Sequence, residues 1–213
     1  MVTKRTYGDG CGIAHGLDLV GERWALLVVR ELLLGPKRFT DLRSGLPNAS
    51  PNVLSQRLRE LEDAGVVQRR RLAPPAGSWV YELTDWGRGL EPIVMALGGW
   101  AISSPGFPPG DPLGEDSAVL ALRTLFNAEA AGGASARYEV RLGEQRFRVA
   151  IADGAIETAR GAVEDPDAVV ETDPSTLVAV LDGRRPLDDA LSAGDLKVDR
   201  GKAAAARFAG LFG

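Results

Sequence analysis

Residues 50–84, SPNVLSQRLRELEDAGVVQRRRLAPPAGSWVYELT, leave few folds open, because a start signal, a stop signal and a turn cluster divide them into a helix and a hairpin. The Ser50 hydroxyl can accept from the orphan N–H groups of a helix start, and Pro51 at the first helical position gives up no needed donor. The helix is expected to run to about Ala64 and to end at Gly65. At ~100° per residue, Val53, Leu54, Leu58 and Leu61 fall on one arc, while Asn52, Ser55, Gln56 and Arg59 stand at i, i+3, i+4 and i+7 on the opposite side. One face packs and the other is free. Arg57 falls within the apolar arc, which makes it a snorkelling or paired structural residue.

Two runs rich in β-formers, residues 66–72 and 78–84, flank the turn cluster Ala73-Pro-Pro-Ala-Gly77 and read as a two-stranded hairpin. Arg69, Arg70 and Arg71 follow one another in the first strand, so alternation places Arg70 on the face opposite its neighbours. A hairpin projecting beside a helix can lay such charges against phosphate, whereas a solvated edge strand would use them to deter aggregation. The free helix face is open to the same pair of readings. Arg can be bidentate to guanine, Asn and Gln to adenine, and Ser50 and Ser55 can reach bases or phosphate; the alternative is an ordinary solvated face.

Upstream residues supply the rest of a helix-turn-helix. Residues 23–34 carry a dense apolar pattern stopped by Gly35 and Pro36, and residues 39–43 make a short helix with Phe39 and Leu42 inward. Lys37, Arg38 and Thr40 stand at the start of that short helix, a position where side chains and helix N–H groups bind phosphate. Residues 11–20 are a further helix candidate. Residues 85–103 read as one longer helix whose apolar load, notably Leu90, Ile93, Val94, Leu97 and Trp100, exceeds what a flanking helix in a small domain needs. A helix–helix homodimer contact accounts for the excess, and two-fold double-stranded DNA sites follow from that symmetry.

The ordered motifs Cys11-Gly-Ile-Ala, Leu17-Asp-Leu-Val-Gly-Glu-Arg-Trp24, Leu32-Leu-Leu-Gly-Pro-Lys-Arg-Phe39, Leu54-Ser-Gln-Arg-Leu-Arg-Glu-Leu61, Gly65-Val-Val-Gln-Arg69 and Tyr81-Glu-Leu-Thr84 resemble the HxlR-type transcriptional regulators over residues 7–103. The resemblance implies a homodimeric winged-helix DNA-binding protein that answers small-molecule or oxidative signals. Cys11 matches an N-terminal cysteine that some such regulators use as a redox or electrophile sensor. Ala76-Gly77-Ser78 before Trp79 departs from the usual wing tip.

A chain of 213 residues accommodates two domains, and its charge is divided accordingly. Residues 1–103 carry 13 Lys and Arg against 11 Asp and Glu, whereas residues 104–213 carry 12 against 18, so net charges of +2 and −6 make up the total of −4. A local basic surface on the first half can still supply counterion release, and the acidic second half is not expected to touch phosphate. Between the halves, residues 104–114 form a Pro/Gly-rich, semi-rigid linker. With no signal peptide and no bilayer-length apolar run, a cytoplasmic location is expected.

The second half, residues 115–213, reads as α+β with one mainly antiparallel sheet. A helix at 117–131 precedes a three-stranded meander at 137–142, 145–152 and 155–160; then come a strand near 169–172, helices at 174–181 and 187–193, a strand at 196–198 and a helix at 202–212. Its order, strongest between Asp173 and Val198, is similar to the sterol carrier protein type 2 fold. That resemblance implies an apolar tunnel for a hydrophobic small molecule or lipid-like effector, lined by Leu122, Phe126, Tyr138, Phe147, Val149, Leu177, Leu181, Leu191, Phe208 and Phe212. Filling an ordinary core is the alternative for each of them.

Catalysis finds little support. A single His and a single Cys exclude a histidine metal cluster, a Cys-x-x-Cys site and an intrachain disulfide, so neither metal nor cofactor is expected. His15 is read as structural or exposed, and Cys11 either as a sensor near a helix start or as a small buried hydrophobe. Ligand-modulated transcription control is the expectation. The alternatives are a regulator sensing redox or electrophiles through Cys11, a lipid carrier whose winged helix serves assembly, and an enzyme acting on a hydrophobic small molecule.

Overall fold

The computed structural model describes residues 6–107 and 112–212, so residues 108–111 of the expected linker lie outside the described residues. The chain divides into two compact units, Met1–Val94 and Met95–Gly213. The division falls within a helix, Glu91–Ile102, ahead of the boundary expected at residue 103.

In the first unit the order is α1 (Gly12–Val20), α2 (Ala25–Leu32), α3 (Phe39–Gly45), α4 (Pro51–Asp63), β1 (Val67–Arg71), β2 (Trp79–Leu83) and α5 (Asp85–Arg88), followed by α6 (Glu91–Ile102) across the division. This is a helix-turn-helix with a two-stranded wing. Val28, Val29 and Leu32 of α2, Leu42 of α3, and Leu54, Leu58 and Leu61 of α4 form the core together with Val66, Val67, Val80 and Leu83 from the base of the wing. At roughly 1.5–3 kcal/mol for each fully buried Val or Leu, this cluster outweighs any local propensity in fixing the angle of α4. The wing is antiparallel with Arg69 opposite Tyr81 and Arg71 opposite Trp79, and a backbone bridge between Lys37 and Tyr81 ties its second strand to the α2–α3 connection.

The single helix expected at 85–103 is in fact two. Thr84 caps α5 by accepting from Gly87 N–H at 2.9 Å, and the helix stops at Gly89. Pro92 has no N–H to give to the Arg88 carbonyl, so the chain restarts as α6 rather than continuing. Gly87 is required here: a Cβ would stand 2.0 Å from the Val66 carbonyl oxygen, where α5 presses on the base of the wing.

In the second unit, α7 (Glu115–Leu125) and α8 (Ala128–Ala131) precede β3 (Ala136–Leu142), β4 (Gln145–Ala152), β5 (Ala155–Arg160), β6 (Ala168–Thr172), α9 (Pro174–Leu181), α10 (Leu187–Ala193), β7 (Leu196–Arg200) and α11 (Lys202–Ala209). Its five strands run β5-β4-β3-β6-β7, with β3 and β6 parallel and the other neighbours antiparallel. Tyr138, Val140, Leu142, Phe147, Val149, Ile151 and Val170 point to the face on which α7, α9 and α11 pack. The expected helix at 117–131 breaks at Asn127, whose side chain caps α8 while its N–H donates to the Leu211 carbonyl at 2.9 Å. The last helix stops at Ala209 rather than running to Phe212, because the chain turns at Gly210 to bring Phe212 beside Phe126.

Candidate nucleic-acid interface

The site is built on α4. Ser50 accepts from the Val53 N–H at 3.3 Å, which starts the helix where the sequence places it. With Leu54, Leu58 and Leu61 buried, the opposite face turns outward: Asn52, Gln56 and Arg59 are exposed, and Ser55 is half-buried among them. Gln56 donates to Glu60 at 2.9 Å, so reading a base with its amide means exchanging that intrahelical bond. Arg57 is buried and bound to Glu60, with Glu22 at 3.6 Å, which is a structural role.

The residues expected at the start of α3 separate. Arg38 and Thr40 are exposed, although Asp41 accepts from the Arg38 N–H at 3.1 Å and from the Thr40 hydroxyl at 3.3 Å. Lys37 turns inward. It is 8 % exposed and donates to Glu31, itself 2 % exposed, which also holds Arg30 at 2.8 Å. A buried ammonium committed to a buried carboxylate is a poor phosphate ligand, since pulling it out strands the partner charge. Gly45, at the end of α3, makes room for that carboxylate: a Cβ there would stand 2.1 Å from Glu31 Oε2.

The three wing arginines also differ. Arg70 is bound to Glu82 at 2.7 Å, and Arg71 donates through Nε to the Gly77 carbonyl at 2.9 Å. Arg69 lies over the Trp79 ring at 4.7 Å and the Tyr81 ring at 5.8 Å. Stacking leaves a guanidinium's N–H groups directed outward, so Arg69 is the wing cation best placed to meet an anion. The aromatic partners, the Glu82 clamp and the Glu31 anchor are not evident from the sequence by local rules. Glu31, a charge inside an apolar helix, was the one visible signal.

Burial pushes the Glu82 carboxyl up, but hydrogen bonds from Arg70 and Gln68 and the charges of Arg70 and Arg88 outweigh it, so its pKa lies below the ordinary carboxylate value. Cys11 is exposed just before α1, and the backbone N–H groups of Ala14 and Ile13 hold its thiol below the usual value. His15 is exposed on the same helix. On α6 no residue is buried: Trp100 is 76 % exposed, Ile93 54 % and Leu97 44 %, with Val94 half-buried, as is Leu90 just before the helix.

In the second unit Leu122, Tyr138, Phe147, Val149, Leu177, Leu181, Phe208 and Phe212 are buried, and Phe126 and Leu191 half-buried. The Phe208 ring lies between that of Tyr138, tilted at 4.6 Å, and that of Phe212, edge-on at 5.0 Å. The apolar cavity between Val170, Leu177, Leu181, Leu196 and Phe208 has a volume of ≈ 10 Å³. That is the size of one water, so in this closed form these side chains pack as a core, and any larger occupant needs the covering helices to move. Among the described residues no group of His, Cys, Asp and Glu could hold a metal ion, and no helix is long and apolar enough to cross a membrane.

Residues 19–104 match the family model described as HxlR-like helix-turn-helix. The chain is 42% identical over 85 residues to the uncharacterized HTH-type transcriptional regulator YvaP of Bacillus subtilis, a match covering 40% of this chain and 79% of that one. Among solved structures it is similar to the redox regulator HypR in its oxidized form, at 34% identity over 44% of this chain and 97% of that one, with a TM-score of 0.41. The quinone-bound YodB of B. subtilis matches at 30% identity over 43% of this chain and 97% of that one, with a TM-score of 0.38.

Proposed function

Because the chain belongs to the HxlR-like helix-turn-helix family, we propose that it is a homodimeric transcriptional regulator that reads double-stranded DNA with α4 and is controlled through its second unit. The observation that carries this reading is the outward row of Asn52, Gln56 and Arg59 on a helix whose opposite face buries Leu54, Leu58 and Leu61. Such side chains suit base edges in a major groove, and the stacked Arg69 flanks them with a cation for the backbone. The apolar, uncovered α6 supplies the dimer surface through Ile93, Val94, Leu97 and Trp100, with Leu90 just before it, and two-fold symmetry then pairs the recognition helices.

Regulation follows from the second unit if a hydrophobic molecule opens its closed core, since an effector shifts DNA affinity only when it binds the two states unequally. One further reading has an observation of its own. The exposed Cys11, its thiol pKa lowered by backbone N–H groups, is suited to attack by oxidants or electrophiles.

Replacing Arg59 by Ala tests the core of the proposal. It is expected to cost about 1–3 kcal/mol on a selected site and to relax specificity at one base position. Equal weakening on every sequence would make Arg59 a phosphate contact instead.

A further inference from the structure

A groove lies where the base of the wing meets α5. Its volume is ≈ 500 Å³, and Gln68, Glu82, Thr84, Asp85, Trp86 and Arg88 line it. That falls within the range of small-molecule sites, about 300–1,000 Å³. The walls are held in place: the Thr84 hydroxyl donates to the Gly65 carbonyl at 2.7 Å, and Gly87 allows α5 to sit directly on Val66. Trp86 is 60 % exposed, so its indole offers a flat apolar surface. Glu82 presents a carboxylate whose side chain is only 13% exposed, one oxygen bonded to Gln68 and the other to Arg70. A carboxylate has about four acceptor positions, so each oxygen keeps capacity toward the groove. Asp85 adds a second, exposed carboxylate beside the Glu82–Arg70 pair, and Arg88 lines the same groove.

We propose that this groove binds a small protonated aromatic amine, its ring stacked on Trp86 and its ammonium held by Glu82 and Asp85. An indole face attracts a cation through its quadrupole, and a carboxylate withdrawn from water attracts one more strongly than an exposed carboxylate does. The groove also has a route to the wing. An ammonium at Glu82 competes with the Arg70 guanidinium, so ligand binding loosens Arg70 from its clamp and changes the charge the wing offers. That coupling rests on the regulator reading above; the binding does not.

Calorimetric titration of the full chain with tyramine, beside p-cresol and benzoate as uncharged and anionic controls, tests the site without DNA. Tyramine is expected to bind at least about tenfold more tightly than either control, a difference of about 1.4 kcal/mol. Glu82→Gln and, separately, Trp86→Leu are expected each to weaken tyramine binding about tenfold while the tryptophan-fluorescence melt of each variant shows a folded first unit. Equal binding of tyramine and p-cresol, or tyramine binding that survives both folded variants unchanged, would overturn the assignment. Either result leaves DNA recognition by α4 untouched, so the two readings fail separately.

Discussion

Lys37 separates two accounts of the helix-turn-helix entrance, and Lys37→Ala discriminates between them. Its ammonium lies 2.5 Å from Glu31 Oε2, with the lysine side chain 10% and the glutamate side chain 3% exposed. Breaking a buried ion pair by removing one partner costs about 3–5 kcal/mol, because the other charge is left in a poor solvent. Arg30 stays 2.8 Å from Glu31 and offsets part of that, leaving about 2–3 kcal/mol. For a unit of under a hundred residues, about 1 kcal/mol moves the melting midpoint by about 4–8 °C, so a fall on the order of 10–20 °C is expected. Tryptophan fluorescence is the suitable assay, since Trp24, Trp79 and Trp86 lie in the first unit, Trp100 lies on α6, and the sheet of the second unit contributes none. The variant's DNA affinity should keep its salt dependence, because a buried lysine releases no counterion. Glu31→Leu combined with Lys37→Met should regain most of the lost stability, as apolar replacement of a buried pair often does. A melting midpoint within a few degrees of the parent, together with a salt slope reduced by about 1, would refute the argument and restore Lys37 as a phosphate contact.

Four further outcomes are expected. Ile93→Glu with Trp100→Glu places charge on the uncovered face of α6 and should shift the protein to monomer in sedimentation, with loss of tight operator binding; an unchanged dimer would locate the interface elsewhere. Asp173 accepts from the Ser175 and Thr176 N–H groups at 2.9 Å, so Asp173→Ala should cost about 1 kcal/mol and Asp173→Asn much less, measured by denaturant melts. Burial raises the Asp173 carboxyl, but the bonds from Thr176 and Ser175 outweigh it and its folded pKa is lowered. Its contribution is therefore complete above the unfolded value of about 3.9 and lost as pH falls through the folded one, so parent and Asp173→Ala should converge in acid. Cys11 should react with iodoacetamide with a pH midpoint below that of free cysteine measured alongside, and an equal or higher midpoint would remove the case for a sensor thiol.

What the sequence disclosed was the local part of the structure. Ser50-Pro51 and Gly65 bound α4 because capping and stop signals act within a turn, and the apolar arc Leu54, Leu58, Leu61 sorted its two faces correctly. The meander strands were legible from alternation and from the turns at Gly143 and Gly154. Features fixed by distant partners were not. Lys37 looked like a surface cation until Glu31 was found beneath it, and Arg70 looked equivalent to Arg69 until the cross-strand register gave one Glu82 and the other two aromatic rings. Asn127 ends α7 through a bond to Leu211, more than eighty positions away along the chain. Pro92 differs: its breaking signal is local, but the apolar run around it carries the helical pattern across the break. The candidate effector residues are apolar and inward by pattern, a property that core and cavity lining share.

The most direct test of the account is selection of bound duplexes from a random library by the full chain, repeated with Arg59→Ala. The account predicts an enriched inverted repeat whose half-sites lie about 10–10.5 base pairs apart, or a multiple of that, with Arg59→Ala relaxing one position in each half. No enriched sequence, or the same sequence enriched by both proteins, would contradict DNA reading by α4.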